Sequence, residues 1–271
     1  YNDQCYYNDV HVKGYVSHEP RHINKYDLST ASKTVLDNPV ILFQNRYDSN
    51  FRHFMIETFH LLSVLYSPNL DRSMIKIMIN KNLNYKYSHQ ILEILNLTDN
   101  IIYKEPNHVY EVKEIIYSNH GMYKPNHPHF RNLLKDLIIK AKEKSTITSF
   151  NEKLYLSREH IDLFTEIHTP KRWVTNLDEI TKILYEKGFV KTTVDDLDLW
   201  DQISIINNAK HIVTLIGANC ENIAFMDSSS KFSIIYAPNQ SWWANSYSWM
   251  GSVHSTCCSL VKDTSVEYSR A

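Results

Sequence analysis

His211-Ile212-Val213-Thr214-Leu215-Ile216-Gly217-Ala218-Asn219 is the stretch on which the fold turns. The run from His211 to Ile216 reads as a strand. Gly217-Ala218 then carries the chain straight into a short helix over Asn219–Met226. Outward from this point strands and helices alternate. Phe232–Tyr236 reads as a further strand, expected to be the last. Upstream lie a helix over Leu199–Asn208, a strand over Phe189–Val194 and a helix over Leu177–Lys187. Gly188 follows that helix where a left-handed residue would stop it, and Lys153–Leu156 is the first strand of the series. The order βαβαβαβ predicts a parallel sheet with right-handed crossovers.

The residues ahead of Lys153 repeat the alternation less cleanly. Pro39–Gln44 is a buried strand, and Asn50–Tyr66 a helix capped by Asn50, with Phe51, Met55, Phe59, Leu62 and Leu65 at helical spacing. Ile75–Ile79, Ile101–Tyr103 and Val112–Tyr117 read as strands, Ser88–Leu95 as a helix. His127–Lys144 is a helix with a basic end, and the polar Ser145–Asn151 reads as a linker. Residues 1–35 are polar and carry no clear element. The expectation is an α/β protein of two Rossmann-like halves, 1–145 and 146–271, with a cleft between them that holds ligands at the carboxyl ends of the strands.

Composition removes several classes. The 271 residues are 43% hydrophobic and 22% charged, with a formal net charge of -1. That is ordinary globular material, without the basic excess of a nucleic-acid binder. No apolar run approaches the roughly 18 residues of a membrane span. The chain begins with Tyr1, as a trimmed product would, which leaves a removed leader or anchor open. Cys5, Cys220, Cys257 and Cys258 form neither a disulfide framework nor a zinc motif. They favour a reducing compartment, the cytoplasm, while the sequons at Asn96 and Asn239 keep the secretory lumen as the alternative. The wealth of Asn, Ile, Lys and Tyr suggests an AT-rich viral or bacterial genome. Only five glycines are present, so no glycine-rich phosphate cradle exists. A bound diphosphate would rest on cationic side chains and a helix N-terminus.

Three features could carry chemistry. Gly217-Ala218-Asn219 places amides at the carboxyl edge of the sheet, where phosphate is attracted, although a tight turn without a ligand is the plainer reading. Arg158 follows the strand Lys153–Leu156 and Arg172 the loop beyond it; either can grip phosphate with two prongs or simply lie solvated. His53 and Glu57 stand four apart on one helix face and interrupt an apolar stripe. They could deprotonate an attacking hydroxyl, or form an ordinary helix-supporting pair. Other patterns resolve otherwise. Glu57-Thr58-Phe59-His60 matches a di-iron motif that needs a second helical copy, and the other match, Glu19-Pro20-Arg21-His22, contains proline. Asp196-Leu197-Asp198 resembles a metal–diphosphate clamp, yet it sits where Asp198 can cap a helix and Asp201 can stand near its third position. The His-rich stretch from His120 to His129 lacks ligand spacing. Trp242, Trp243 and Trp249 could stack on sugar rings but suit packing equally.

Taken in order, these pieces resemble glycosyltransferase family 61, which includes plant xylan arabinosyl- and xylosyltransferases and animal O-linked N-acetylglucosaminyltransferases. An Asn-x-x-His-[Phe/Trp]-x-x-[Asp/Glu] element appears as Asn50 to Glu57. A Tyr-[Ile/Leu]-Ser-Arg strand end appears as Tyr155-Leu156-Ser157-Arg158, and an Arg-x-[Val/Ile]-x-Asn segment as Arg172 to Asn176. Gly188-Phe189, the segment Gln202 to Ala209, and Gly-Ala-x-x-x-Asn-x-x-Phe-Met from Gly217 to Met226 complete the series, the last with Asn222 and Phe225. The resemblance covers Pro39 to Pro238 and is densest from Lys153 onward. Family members often carry His before the Gly-Ala pair and Gly after it, where this chain has Ile216 and Asn219.

The resemblance implies a GT-B architecture with an acceptor-side N-terminal half and a donor-binding C-terminal half. It implies transfer, with inversion and without a required metal or other cofactor, of a pentose such as xylose, or of N-acetylglucosamine. The expected donor is a UDP-sugar and the acceptor a hydroxyl of a glycan or glycoprotein. Glu57 is then the candidate base with His53 as its partner, or His53 takes that role itself. Ser157, Arg158, Arg172, Asn176, Gln202, Gly217, Ala218, Asn219 and Asn222 are the candidate donor contacts. A non-catalytic carbohydrate- or nucleotide-binding module on the same scaffold would keep Gly217 and Arg158 but have no use for Glu57.

Overall fold

The structure is a computed structural model and describes residues 6–7, 10–11, 32–43, 50–80, 86–105, 108–116, 127–157, 176–236, 247 and 257–262. Two short antiparallel strands, β1 (Tyr6–Tyr7) and β2 (Val10–His11), come first. After β3 (Ser32–Leu36), strands β4 (Val40–Leu42), β5 (Lys76–Asn80) and β6 (Ile101–Lys104) form a parallel sheet in that order. Then β7 (His108–Val112) runs parallel to β3. Just beyond it the chain passes β4: the Val40 amide donates to the Glu114 carbonyl and the Ile116 amide to the Val40 carbonyl, both at 2.9 Å. The strand expected over Val112–Tyr117 is thus divided between two partners.

The expected helix after Asn50 is continuous but not uniform. It begins as α1 (Phe51–His53), loosens into a π turn over Phe54–Thr58 and tightens into a 3₁₀ helix over Phe59–Tyr66. Every residue from Thr58 to Ser63 is buried, so packing on all sides, rather than one apolar stripe, sets the winding. Helices α2 (Lys86–Ile94) and α3 (Pro128–Lys144) follow.

The second sheet is built from β8 (Lys153–Leu156), β9 (Val190–Thr192), β10 (His211–Leu215), β11 (Lys231–Tyr236) and β12 (Cys257–Lys262). Its order is β12-β11-β10-β8-β9 and every pairing is parallel. Helices α4 (Leu177–Glu186) and α5 (Leu199–Asn208) lie between strands in sequence, and Gly188 ends the first of them at φ 80°. A left-handed residue there satisfies the last turn, as glycine does without strain. One expectation fails: β11 is not the last strand. β12 adds to its edge through backbone pairing, which the mixed sequence CCSLVK does not announce.

Side chains of β8, β10 and β11 alternate between two packed faces, so these strands are largely apolar. Leu154, Leu156, Ile212, Phe232 and Ile234 face the main core; Tyr155, Val213 and Leu215 pack with Ile180 and Leu184 of α4. The main core runs without interruption from Ile41 and Phe43 through Phe54, Phe59 and Phe130 to Ile203 and Phe225. Helix α3 packs on both the 3₁₀ segment 59–66 and α5, so the two expected halves share one interior. Among the described residues no helix is long and apolar enough to cross a membrane.

Candidate active site

Asn50 starts the helical run as expected: its Oδ1 accepts from the Arg52 amide at 3.0 Å and its carbonyl from the Phe54 amide at 2.9 Å. That cap fixes the first turn. Phe51 and Phe54 then turn into the core, with Phe54 stacked against Tyr87 at 5.9 Å. His53 and Glu57 do not. Their side chains retain 38% and 32% of their surface, whereas Phe54 and Met55 retain none. The His53 Nδ1 and Glu57 Oε1 are 2.6 Å apart. A carboxylate only accepts hydrogen bonds, so in this contact Nδ1 is the donor. The spacing of four therefore becomes a direct, partly solvent-accessible pair on a largely buried segment.

The turn after β10 stands close by. The 3₁₀ helix Ala218–Phe225 follows Gly217 directly and packs on α1, with Phe51 and Phe225 at 6.4 Å between ring centres. Gly217 is buried and Ala218 half-buried. Behind the turn, the Gln202 Nε2 donates to the Asn222 Oδ1 at 2.7 Å, and the Asn222 Nδ2 to the Asn219 carbonyl at 3.0 Å. All three side chains are buried, so Gln202 and Asn222 brace the turn from inside the fold. Among the described residues, the Asn219 Nδ2 has no hydrogen-bond partner. Ser157 is buried at the end of β8, where its amide donates to the Thr192 carbonyl at 3.1 Å. Asn176 begins α4. Arg158 and Arg172 lie outside the described residues, as do Trp242, Trp243, Trp249 and His120.

The acidic pair before α5 is arranged differently from expectation. Asp198 does not cap that helix with its side chain. Gln90 of α2 does the work instead: its Oε1 accepts from the Leu199 amide at 2.9 Å, and its Nε2 donates to the Asp198 Oδ1 at 2.5 Å. A neighbouring helix can reach the exposed amide with a longer side chain, leaving Asp198 to orient the amide that caps. Asp201 accepts from the Ser145 hydroxyl at 2.7 Å and the Thr146 amide at 3.1 Å, tying the linker to α5.

Sequence reading missed the group that joins these parts. The Arg52 Nη1 donates to the Glu221 Oε1 at 3.0 Å, and the Arg52 guanidinium lies over the Tyr247 ring at 4.9 Å. The Tyr247 hydroxyl donates to the Gly217 carbonyl at 3.3 Å. Glu221 is wholly buried, and its Oε2 has no partner among the described residues. Burial pushes its carboxyl up to about 8, with Arg52 pulling the other way. Neither residue stands out in the sequence: Arg52 is flanked by Phe51 and His53, and Glu221 by Cys220 and Asn222.

A folded-state value above the usual 4.5 means that the native protein binds a proton which the unfolded chain has released. Stability from this group is therefore complete below pH 4.5 and declines as pH rises toward about 8. Thermal melts of Glu221→Gln are expected to lack this part of the decline. A variant whose melting temperature falls as steeply as the parent's over that range would place the dependence elsewhere.

Comparison with known families gives one result. Residues 51–232, two thirds of the chain, match the model described as Glycosyltransferase 61. The match begins at α1 and ends in β11, so it contains both the His53–Glu57 pair and the Gly217 turn. No curated protein matches the chain in sequence.

Proposed function

The chain belongs to glycosyltransferase family 61, and from that premise we propose that it moves a sugar from a UDP-sugar to a hydroxyl of a glycan or glycoprotein, with inversion and without a required metal ion. The sugar is a pentose such as xylose, or N-acetylglucosamine. Family membership makes the protein a glycosyltransferase acting on a sugar donor and an acceptor; the donor, the stereochemistry and the metal independence are our reading.

One observation carries the assignment of roles. The His53–Glu57 pair is partly open to solvent on a largely buried segment, and that segment is anchored to the helix behind Gly217. In this reading the acceptor hydroxyl attacks the anomeric carbon as Glu57 takes its proton, and the bond to the diphosphate breaks on the opposite side. The hydrogen bond from His53 orients the Glu57 carboxylate. Arg158, Arg172 and the amides after Gly217 meet the charge on the departing diphosphate, which is the part a metal would otherwise take.

The test is a panel of UDP- and GDP-sugars, assayed for hydrolysis and transfer in EDTA. Turnover of one UDP-sugar in the chelator is the expected result. Loss of all turnover in EDTA, restored by manganese, would overturn metal independence and direct attention to Asp196 and Asp198. Binding of a nucleotide sugar without turnover under either condition would mark a binding module.

A further inference from the structure

Arg52 and Glu221 form a polar contact in a place where an apolar one already exists. Phe51 and Phe225 join the same two helices through the core. A buried guanidinium–carboxyl contact seldom stabilises more than a hydrophobic pair of similar size, because desolvation offsets most of the attraction. What such a contact adds is geometry: a guanidinium and a carboxyl group meet at a fixed distance and direction, whereas apolar side chains can slide.

The geometry here is closed on itself. Arg52 precedes His53, and its own amide is held by Asn50. Its guanidinium reaches Glu221 on the 3₁₀ helix and lies over Tyr247, which in turn donates to the carbonyl of Gly217, where that helix begins. A loop of contacts thus runs from the first turn of the His53–Glu57 segment to both ends of the Gly217–Glu221 turn.

We propose that Glu221 is a positioning residue: through Arg52 it holds the segment bearing His53 and Glu57 at a set distance from the Gly217 turn, so that the proton-accepting group and the donor site keep one alignment. This rests on the reading of Glu57 as the base. Arg52 is the arm of the device, Glu221 its anchor and Tyr247 its support.

The experiment compares Glu221→Gln, Arg52→Met and the double variant with the parent above pH 8, where the Glu221 carboxyl is ionised, measuring kcat, donor KM and the ring-nitrogen NMR signals of His53. Small misplacements of reacting groups lower rates by about ten- to a hundred-fold. Each single variant is expected to lose kcat in that range with donor KM nearly unchanged, and to shift the His53 signals. Residues acting as one unit are not additive, so the double variant should fall no further than the weaker single. Arg52→Met strands Glu221, so if it does not fold, Glu221→Gln and the uncharged double variant carry the test.

Parent-like kcat and unmoved His53 signals in Glu221→Gln, with only a change in melting temperature, would overturn the proposal. So would a higher donor KM at unchanged kcat, which would make Arg52 a donor contact. Glu57→Gln, run in parallel, separates the two readings. If it keeps full transfer while Glu221→Gln loses kcat and shifts the His53 signals, the base assignment fails and the positioning role stands. If it abolishes transfer while Glu221→Gln changes neither, the positioning role fails alone.

Discussion

Glu57→Gln is expected to lower the transfer rate by about a hundred- to ten-thousand-fold, the usual range for loss of a general base. The substitution keeps the size of the side chain and an oxygen for His53 to reach, but removes the basic lone pair. The segment around Glu57 should survive the change, because its winding is held by Phe54, Met55 and Phe59 in the core rather than by the open pair. Donor affinity should stay close to the parent's, since Gly217 and Arg158 belong to the other half of the chain. Steady-state assays with calorimetric donor titration check both statements together. Near-normal turnover per folded molecule would show Glu57 to be structural and make His53 the next base to test.

Phe225→Ala is the substitution expected to destabilise most, by roughly 3–5 kcal/mol, the range for deleting a buried ring. Phe225 is fully buried at the end of the 3₁₀ helix and meets Phe51 of α1. The space it leaves cannot easily close. Its carbonyl accepts from the Asn207 side chain at 2.8 Å, and Arg52 ties the same helix to α1 through Glu221. Such restraints keep the walls of a cavity apart, which is what makes large-to-small changes expensive. Urea unfolding should show a lower midpoint at an unchanged slope. A loss under about 1 kcal/mol would mean that the walls collapse.

The second sheet was legible because β8, β10 and β11 are largely apolar and Gly188 stops the helix before β9. Lys153–Leu156 and Leu199–Asn208 were read to the residue, and Gly188 gave the end of α4. β3 and β12 were missed for a common reason: each joins a sheet through backbone pairing, and neither offers a continuous apolar run. The π turn at Phe54–Thr58 was also beyond reach, because the same apolar residues fit an ordinary helix and only packing on every side selects the looser turn.

Within the site, His53 and Glu57 could be paired from spacing alone. The buried link between Gln202 and Asn222 could not, since it spans 20 positions and depends on how α5 lies against the next helix. Arg52 and Glu221 are 169 positions apart. Only the folded chain brings them to each other.

The match to the family ends at residue 232, within β11, yet the sheet continues to β12 at Cys257–Lys262. A shorter protein cut at that boundary would split β11 and strip the partner from the sheet's edge. The bare edge of β10 would then present unpaired amides and carbonyls, a template on which a second copy can add its own strand. Solubility during expression therefore depends on a segment beyond the family match, one that also carries Tyr247, and any trimmed version meant for crystallisation should retain the chain through Lys262.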